Sequence, residues 1–66
     1  MNAEIIALII RKRRDALGYS QKELAEKSGV HLRSINNIES GKGNPSLDTL
    51  LKIVEVLRLE LLVRIP

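Results

Sequence analysis

The chain contains no cysteine, phenylalanine or tryptophan, and it has one tyrosine, one histidine and two prolines in 66 residues. Without cysteine it has no disulfide, no thiol nucleophile and no cysteine-based zinc site, and one histidine has no second histidine to share a metal. Its longest apolar run, residues 5–10, has six residues, whereas a membrane-spanning helix needs about 20. A basic run follows this apolar block, which is the reverse of the order in a secretory signal. The sequence therefore predicts neither a membrane segment nor a disulfide-stabilised fold.

The residues that are present also do not indicate an enzyme. The sequence has no Ser-His-Asp set, no glycine-rich phosphate loop and no carboxylate pair in a plausible cleft, and so short a chain scarcely builds a pocket. We therefore expect no enzymatic activity, no cofactor and no metal. The 11 Lys and Arg against 8 Asp and Glu give a net charge of +3, which favours an anionic partner without naming one.

The length predicts a single domain over residues 1–66. A chain this short buries only about 60% of its unfolded surface. Since no disulfide is available to stabilise it, we expect oligomerisation to do so.

Glycine and proline divide the chain into four predicted helices. The first covers about residues 3–17 and ends at Gly18, a typical helix C-terminal glycine. A capping box over residues 20–23 opens the second, which ends at Gly29. The third covers about residues 32–40. Ser46 caps the fourth helix, whose apolar residues have helical spacing: Leu47, Leu50, Leu51, Val54 and Leu57.

The C-terminal residues change from a helical period to a period of two. Apolar side chains alternate with their neighbours at Leu59, Leu61, Val63 and Ile65. This pattern predicts a strand over about residues 59–65. Because the chain offers no second strand, we expect this one to pair antiparallel with its copy in a homodimer. Apolar residues of the first helix, in excess of one core stripe, are expected to cover the paired strands: Ile5, Leu8 and Ile9.

Two short helices over about residues 21–40 are the main functional signal. Ala25 is small where the helices must approach each other, and Gly29 makes the turn between them. This is the arrangement of a helix-turn-helix, which holds its second helix at an angle suited to a DNA major groove. Arginine on the outward face suits guanine and asparagine suits adenine. The outward positions are Leu32, Arg33, Asn36 and Asn37.

Four segments together carry a family resemblance: residues 20–25 (SQKELA), Gly29, residues 35–41 (INNIESG) and residues 44–50 (NPSLDTL). In these the chain resembles the Cro/lambda-repressor-type (xenobiotic-response-element) helix-turn-helix family. The resemblance implies a mainly α-helical, four-helix domain that binds double-stranded DNA as a homodimer at a palindromic operator. It further implies a transcriptional repressor in the cytoplasm of a bacterium, or one that a phage encodes.

Family position also suggests roles for individual residues. Gln21 begins the second helix and would touch phosphate or an end base, while Lys42 and Asn44 would reach the DNA backbone. The base-reading positions would be Leu32, Arg33, Ser34 and Asn37. Arg14 and Glu39 would form a partly buried ion pair between the first and third helices. The complete set of candidate DNA-contacting residues is Gln21, Lys22, Leu32, Arg33, Ser34, Asn36, Asn37, Lys42 and Asn44.

Two residues depart from the family pattern. His31 stands where a Ser or Thr helix cap is usual, and Leu32 stands where a polar reading residue is common. Both departures bear on the preferred DNA sequence and not on the fold.

The C-terminal strand narrows the resemblance to the antitoxins of HipBA-type toxin–antitoxin pairs. There the strand pairs with its mate in a dimer, and the partner toxin is kinase-like. This implies an autoregulatory antitoxin. Two alternatives stay open at this point: a protein-interaction module that neutralises a partner protein, and a stand-alone regulator of the phage or prophage type.

Overall fold

A computed structural model of the chain describes residues 2–66 and contains four helices in that range. They are α1 (Ala3–Ala16), α2 (Gln21–Ser28), α3 (Leu32–Glu39) and α4 (Leu47–Val56). The mainly α-helical fold expected from the sequence is confirmed, and the boundaries agree with the predicted ones to within a residue. Among the described residues no strand is present, and residues 59–66 have no regular secondary structure. The predicted strand therefore stays a prediction.

Three of the four helices begin with a side-chain cap. Asn2 accepts a hydrogen bond from the Ile5 amide, and Ser46 accepts one from the Thr49 amide. At α2 the capping box is complete, because Ser20 accepts from the Glu23 amide and Glu23 accepts from the Ser20 amide, both at 3.0 Å. The Ser20 backbone N–H, followed by its hydroxyl, lowers the pKa of the Glu23 carboxyl. These local bonds fix where each helix starts.

The N-terminus of α3 lacks such a cap. His31 is in the N-cap position, but its side chain makes no capping hydrogen bond. Helix α3 therefore lacks this local stabilisation at its start, and α1 and α2 both contact it.

The core is a single aliphatic cluster at the junction of the helices. Its buried members are Ile10, Leu24, Ala25, Val30, Ile35, Ile38, Ile53 and Leu57. The apolar residues with helical spacing on α4 are only partly buried, since Leu47 is 62% exposed and Leu51 46% exposed, whereas Ile53 is fully buried. Apolar residues occupy more than one face of α4, so helical spacing alone did not identify the face that contacts α2.

Helix α4 ends in a reversal that is built on a residue other than glycine. The Leu59 amide donates to the Val54 carbonyl at 2.9 Å, and Arg58 between them has a φ of 56°. At the corresponding point of α1 the residue is Gly18, with a φ of 77°. A side chain in this left-handed region is strained, while glycine is not.

No helix within residues 2–66 combines the length and the apolar character needed to cross a membrane.

We predict that Arg58→Gly stabilises the chain. Removing the strained Cβ should outweigh the greater entropy of glycine in the unfolded chain and raise the free energy of unfolding by about 0.5–1 kcal/mol. Urea denaturation followed by circular dichroism measures the change. Arg58→Ala is the matched control, because it removes the same charge but keeps the Cβ. An equal gain in both variants would contradict the backbone explanation.

Candidate nucleic-acid interface

The turn between α2 and α3 fixes the angle of the helix pair. Gly29 ends α2 with a φ of 74°, and its amide donates to the Ala25 carbonyl at 2.9 Å. Val30 follows and is buried, which draws the turn onto the core. On α3, Ile35 and Ile38 are also buried. Because these two residues hold one side of α3 against the protein, the opposite side is presented outward.

The outward side of α3 carries uncharged polar and basic side chains. Arg33, Asn36 and Asn37 are exposed, and Leu32 is 43% exposed. The one acidic residue of α3, Glu39, is turned inward and is only 2% exposed. The face that a polyanion would meet is therefore free of carboxylates from α3 itself.

The remaining candidate residues surround this face. Ser34, Asn37 and Asn44 line one shallow polar groove beside the N-terminus of α4. Lys42 is exposed at the C-terminal end of α3, and Lys22 is exposed on the first turn of α2. The structure thus places the candidates along α3, in the loop that follows it and at the start of α2.

Gly43 is a positioning residue that the sequence reasoning missed. A Cβ on Gly43 would lie 3.1 Å from the Ile38 backbone nitrogen and 3.2 Å from the Asn37 carbonyl carbon. In addition, the amides of Lys42 and Gly43 both donate to the Asn37 carbonyl, at 3.2 and 3.1 Å. The loop after α3 therefore lies directly against its last turn, and this places Lys42 and Asn44. A loop signal in the sequence marked the glycine, but only the structure gives the close approach.

A buried ion pair joins α1 to α3 behind the interface. Arg14 donates to Glu39 twice, from Nε to Oε2 at 2.7 Å and from Nη2 to Oε1 at 2.9 Å. The same guanidinium donates to the Tyr19 carbonyl at 2.8 Å. The hydrogen bond with Glu39 raises the pKa of Arg14, an effect that burial of the guanidinium opposes.

Two more arginines of the basic run have internal partners. Arg11 donates to the Glu39 carbonyl at 2.9 Å, and Arg13 donates to the Leu57 carbonyl at 2.8 Å. Each guanidinium therefore satisfies a carbonyl at the C-terminal end of a helix, where the helix dipole also favours a cation. The basic run stabilises the helix ends of this fold, a role that the sequence pattern did not reveal.

Gln21 connects the ion pair to the outward face. Its Nε2 donates to Glu39 Oε1 at 3.1 Å, and its Oε1 accepts a hydrogen bond from Asn36 Nδ2. Gln21 is half-buried at the first position of α2. The candidate residues Gln21 and Asn36 are therefore in direct contact. Over residues 2–66 the structure brings together no cluster of side chains suited to a metal ion.

The geometry is that of a helix-turn-helix domain, and the family comparison agrees. A family model described as helix-turn-helix (HTH_3) matches residues 10–63, which is more than half of the chain. The chain belongs to this family, the Cro/lambda-repressor type of helix-turn-helix domain. The resemblance predicted from the sequence is thereby confirmed.

Three regulators with similar sequences illustrate the relationship. The chain is 51% identical over 41 residues to an HTH-type transcriptional regulator of Haemophilus influenzae, covering 62% of this chain and 42% of that protein. It is 41% identical over 44 residues to the antitoxin HipB of Escherichia coli, covering 67% of this chain and 47% of HipB. It is 31% identical over 52 residues to the phage transcriptional repressor RstR of Vibrio cholerae, covering 79% and 46%. The chain thus spans less than half the length of each of these three relatives.

A solved structure extends the similarity to the whole domain. The restriction–modification controller protein C.AhdI of Aeromonas hydrophila superimposes with a TM-score of 0.83 at 33% identity, and the match covers 88% of both chains.

We predict that Glu39→Ala is strongly destabilising. It would leave the Arg14 charge buried without its carboxylate, and breaking a buried pair in this way costs about 3–5 kcal/mol. Thermal and urea denaturation give the loss. Asp15→Ala is the control, because Asp15 also pairs with Arg14 but its side chain is 71% exposed, so its removal should cost at most about 1 kcal/mol.

A double variant tests whether the two charges depend on each other. Arg14→Ala combined with Glu39→Ala should be no less stable than Glu39→Ala alone, because neither charge is then left unpaired. Strictly additive losses would contradict a direct pair.

Proposed function

We propose that this chain is a transcriptional repressor that binds a palindromic operator as a homodimer, with α3 in the major groove. The observation that carries the proposal is the composition of the outward side of α3. Arginine and two asparagines project from it, while Glu39 is withdrawn into the ion pair with Arg14. Arginine can donate two hydrogen bonds to guanine, and asparagine can both donate to and accept from adenine.

The flanking residues suit the DNA backbone. Lys42 after α3 and Lys22 on the first turn of α2 are exposed cations, and a cation contributes to binding by neutralising phosphate and releasing counterions. Asn44 and Ser34 line the polar groove next to α3. In this proposal Arg33, Ser34, Asn36 and Asn37 read bases, Leu32 contacts a thymine methyl, and Lys22, Lys42 and Asn44 hold the helix in register.

The proposed homodimer is supported by the surface of the tail. Leu59 packs against the core, but Val63 is 95% and Ile65 97% exposed. Leu59 and Leu61 line an apolar groove together with Ile9 of α1, and Ile5, Leu8 and Ile9 are each between 42% and 45% exposed. A second tail paired antiparallel would bury the apolar row Leu59, Leu61, Val63 and Ile65 over this surface.

A narrower proposal is that the chain is the autoregulatory antitoxin of a HipBA-type toxin–antitoxin pair, with a kinase-like toxin as its protein partner. The likeness to the antitoxin HipB supports it, as does the exposed apolar tail. The likeness to RstR favours the alternative of a stand-alone phage-type repressor. Coexpression with the adjacent reading frame separates the two: the antitoxin should relieve the toxicity of a kinase-sized neighbour and purify with it. A neighbour that is harmless when expressed alone would contradict the antitoxin role and leave the repressor role intact.

A different kind of function, a module that acts only by clamping a partner protein, is tested by salt. For operator binding, the logarithm of the association constant should fall linearly with the logarithm of salt concentration, with a slope set by the number of phosphates neutralised. If the chain does not bind DNA even at low salt, the module that clamps a partner protein would be favoured.

We predict that Arg33 and Lys42 contribute in different ways. Arg33→Ala should weaken the selected operator by about 1–3 kcal/mol and relax the preference at one base pair, because a base contact is lost. Lys42→Ala should weaken all sequences alike and reduce the salt slope by about 1, because a phosphate contact is lost. Binding-site selection followed by fluorescence anisotropy over a salt series distinguishes these effects. An unchanged sequence preference in Arg33→Ala would contradict the role of α3 as the reading helix.

We predict that the tail is required for the dimer. A chain that ends after Glu60 keeps Leu59 on the core but loses the rest of the apolar row, and it should sediment as a monomer with weak operator affinity. Val63→Pro should act similarly, because proline removes a backbone donor from the ladder. Val63→Glu places a charge in the apolar row and should also abolish the dimer. Its matched control is Leu62→Glu, which changes the opposite face of the predicted strand and should leave the dimer intact. A truncated chain that dimerises as tightly as the full chain would place the interface elsewhere.

The operator should share the symmetry of the dimer. Its half-sites are expected about 34–36 Å apart, or a multiple of that distance. A footprint without twofold symmetry would count against a homodimer on DNA.

A further inference from the structure

A continuous chain of hydrogen bonds runs from the buried ion pair to the outward side of α3. Arg14 donates to Glu39, Gln21 Nε2 donates to Glu39 Oε1 at 3.1 Å, and Asn36 Nδ2 donates to Gln21 Oε1. Glu39 is 2% exposed, Gln21 is half-buried and Asn36 is exposed. The chain of bonds therefore begins in the core and ends at a residue that faces solvent.

The direction of every bond in this chain is set by its buried end. A guanidinium only donates hydrogen bonds and an ionised carboxylate only accepts them. Because Glu39 accepts from Arg14, it can only accept from Gln21 as well, so Gln21 must turn its NH₂ group inward and its carbonyl oxygen toward Asn36. Asn36 must in turn offer an N–H to that oxygen. An unconstrained amide could present either end, since its two ends are nearly the same in shape.

The orientation of Asn36 determines which hydrogen-bonding groups of its amide remain available to a base. With one N–H bound to Gln21, a single N–H and the oxygen Oδ1 remain. Adenine presents one acceptor and one donor in the major groove, whereas guanine presents two acceptors. The remaining groups of Asn36 match adenine. Against guanine, Oδ1 of Asn36 would face a second acceptor. The other N–H of Asn36 could bind that acceptor, but it is already bonded to Gln21.

We propose that Gln21 is a positioning residue for Asn36, and that the chain of bonds from Arg14 makes Asn36 select adenine over guanine at one base pair of the operator. This inference rests on the proposed function, since it requires α3 to lie in the major groove. Gln21 acts here through its contact with Asn36, which is separate from any contact it makes with phosphate.

The test compares four full-length chains in binding-site selection: the unaltered chain, Gln21→Met, Asn36→Ala and the double variant. Methionine has nearly the length of glutamine but provides neither the donor nor the acceptor. Asn36→Ala identifies the base pair concerned, because the preference for adenine over guanine is lost there. At that base pair, Gln21→Met should remove a large part of the same preference. For a two-bond base contact that preference is roughly 5- to 140-fold, from about 1–3 kcal/mol at about 1.4 kcal/mol per tenfold. The double variant should show the same preference as Asn36→Ala alone, because Gln21 has no effect on this base pair except through Asn36.

Lys22→Met is the matched control on the same helix. This substitution removes an exposed side chain next to Gln21 that takes no part in the hydrogen bonds from Arg14 to Asn36. The affinity for every DNA sequence should therefore fall, while the preference for adenine stays unchanged. In the chain without DNA, the side-chain amide resonances of Asn36 in a ¹⁵N–¹H spectrum should shift in Gln21→Met and stay in place in Lys22→Met.

The possible failures are distinguishable. A chain that selects no DNA sequence would overturn the proposed function and this inference with it. Sequence selection with an adenine preference that Gln21→Met leaves intact, or Asn36 resonances that do not respond to it, would overturn the inference alone. Effects of Gln21→Met and Asn36→Ala at different base pairs would also overturn it.

Discussion

The pairing of Arg14 with Glu39 is the interaction on which the arrangement of the helices depends. It joins α1 to the last turn of α3, and through Gln21 it reaches the first turn of α2. Burying two charges is unfavourable unless their remaining donors and acceptors are also satisfied. That condition is met here: among the residues that the structure describes, no buried side-chain nitrogen or oxygen lacks a partner. The pair and its hydrogen-bond partners thus connect α1, α2 and α3 at one buried point.

The same constraint shapes the electrostatics of the DNA-facing surface. A carboxylate on the outward side of α3 would repel phosphate, and burying Glu39 removes that charge from the surface. Arg11 and Arg13 bind carbonyls at helix ends, so much of the positive charge of the basic run is used within the fold. The exposed cations among the candidate residues are few: Arg33 on α3, Lys42 after its C-terminal end and Lys22 on the first turn of α2. The net charge of +3 is thus a poor guide to where the chain binds DNA.

Local sequence signals predicted the fold more completely than they predicted the site. Ser20, Gly29 and Ser46 act over three or four residues, so helix boundaries could be read from the sequence alone. By contrast, the burial of Ile53 in place of Leu47 depends on which face of α4 meets α2, and the close approach at Gly43 depends on a loop folding back on α3. The contact between Gln21 and Asn36 spans 15 positions. Such contacts follow from tertiary geometry, which a pattern of residue types does not contain.

Two surfaces of this small domain are left for partners, and they are chemically distinct. The outward side of α3 is polar and basic, while the tail and the half-exposed residues of α1 are aliphatic, with Val63 and Ile65 almost fully exposed. A chain of 66 residues has too little interior to bury both these side chains and its own core. In the proposed homodimer the aliphatic surface would be covered by the second copy, so folding stability and protein concentration would be linked. Occupancy of the operator would then rise more steeply than in proportion to concentration, because each binding unit requires two chains.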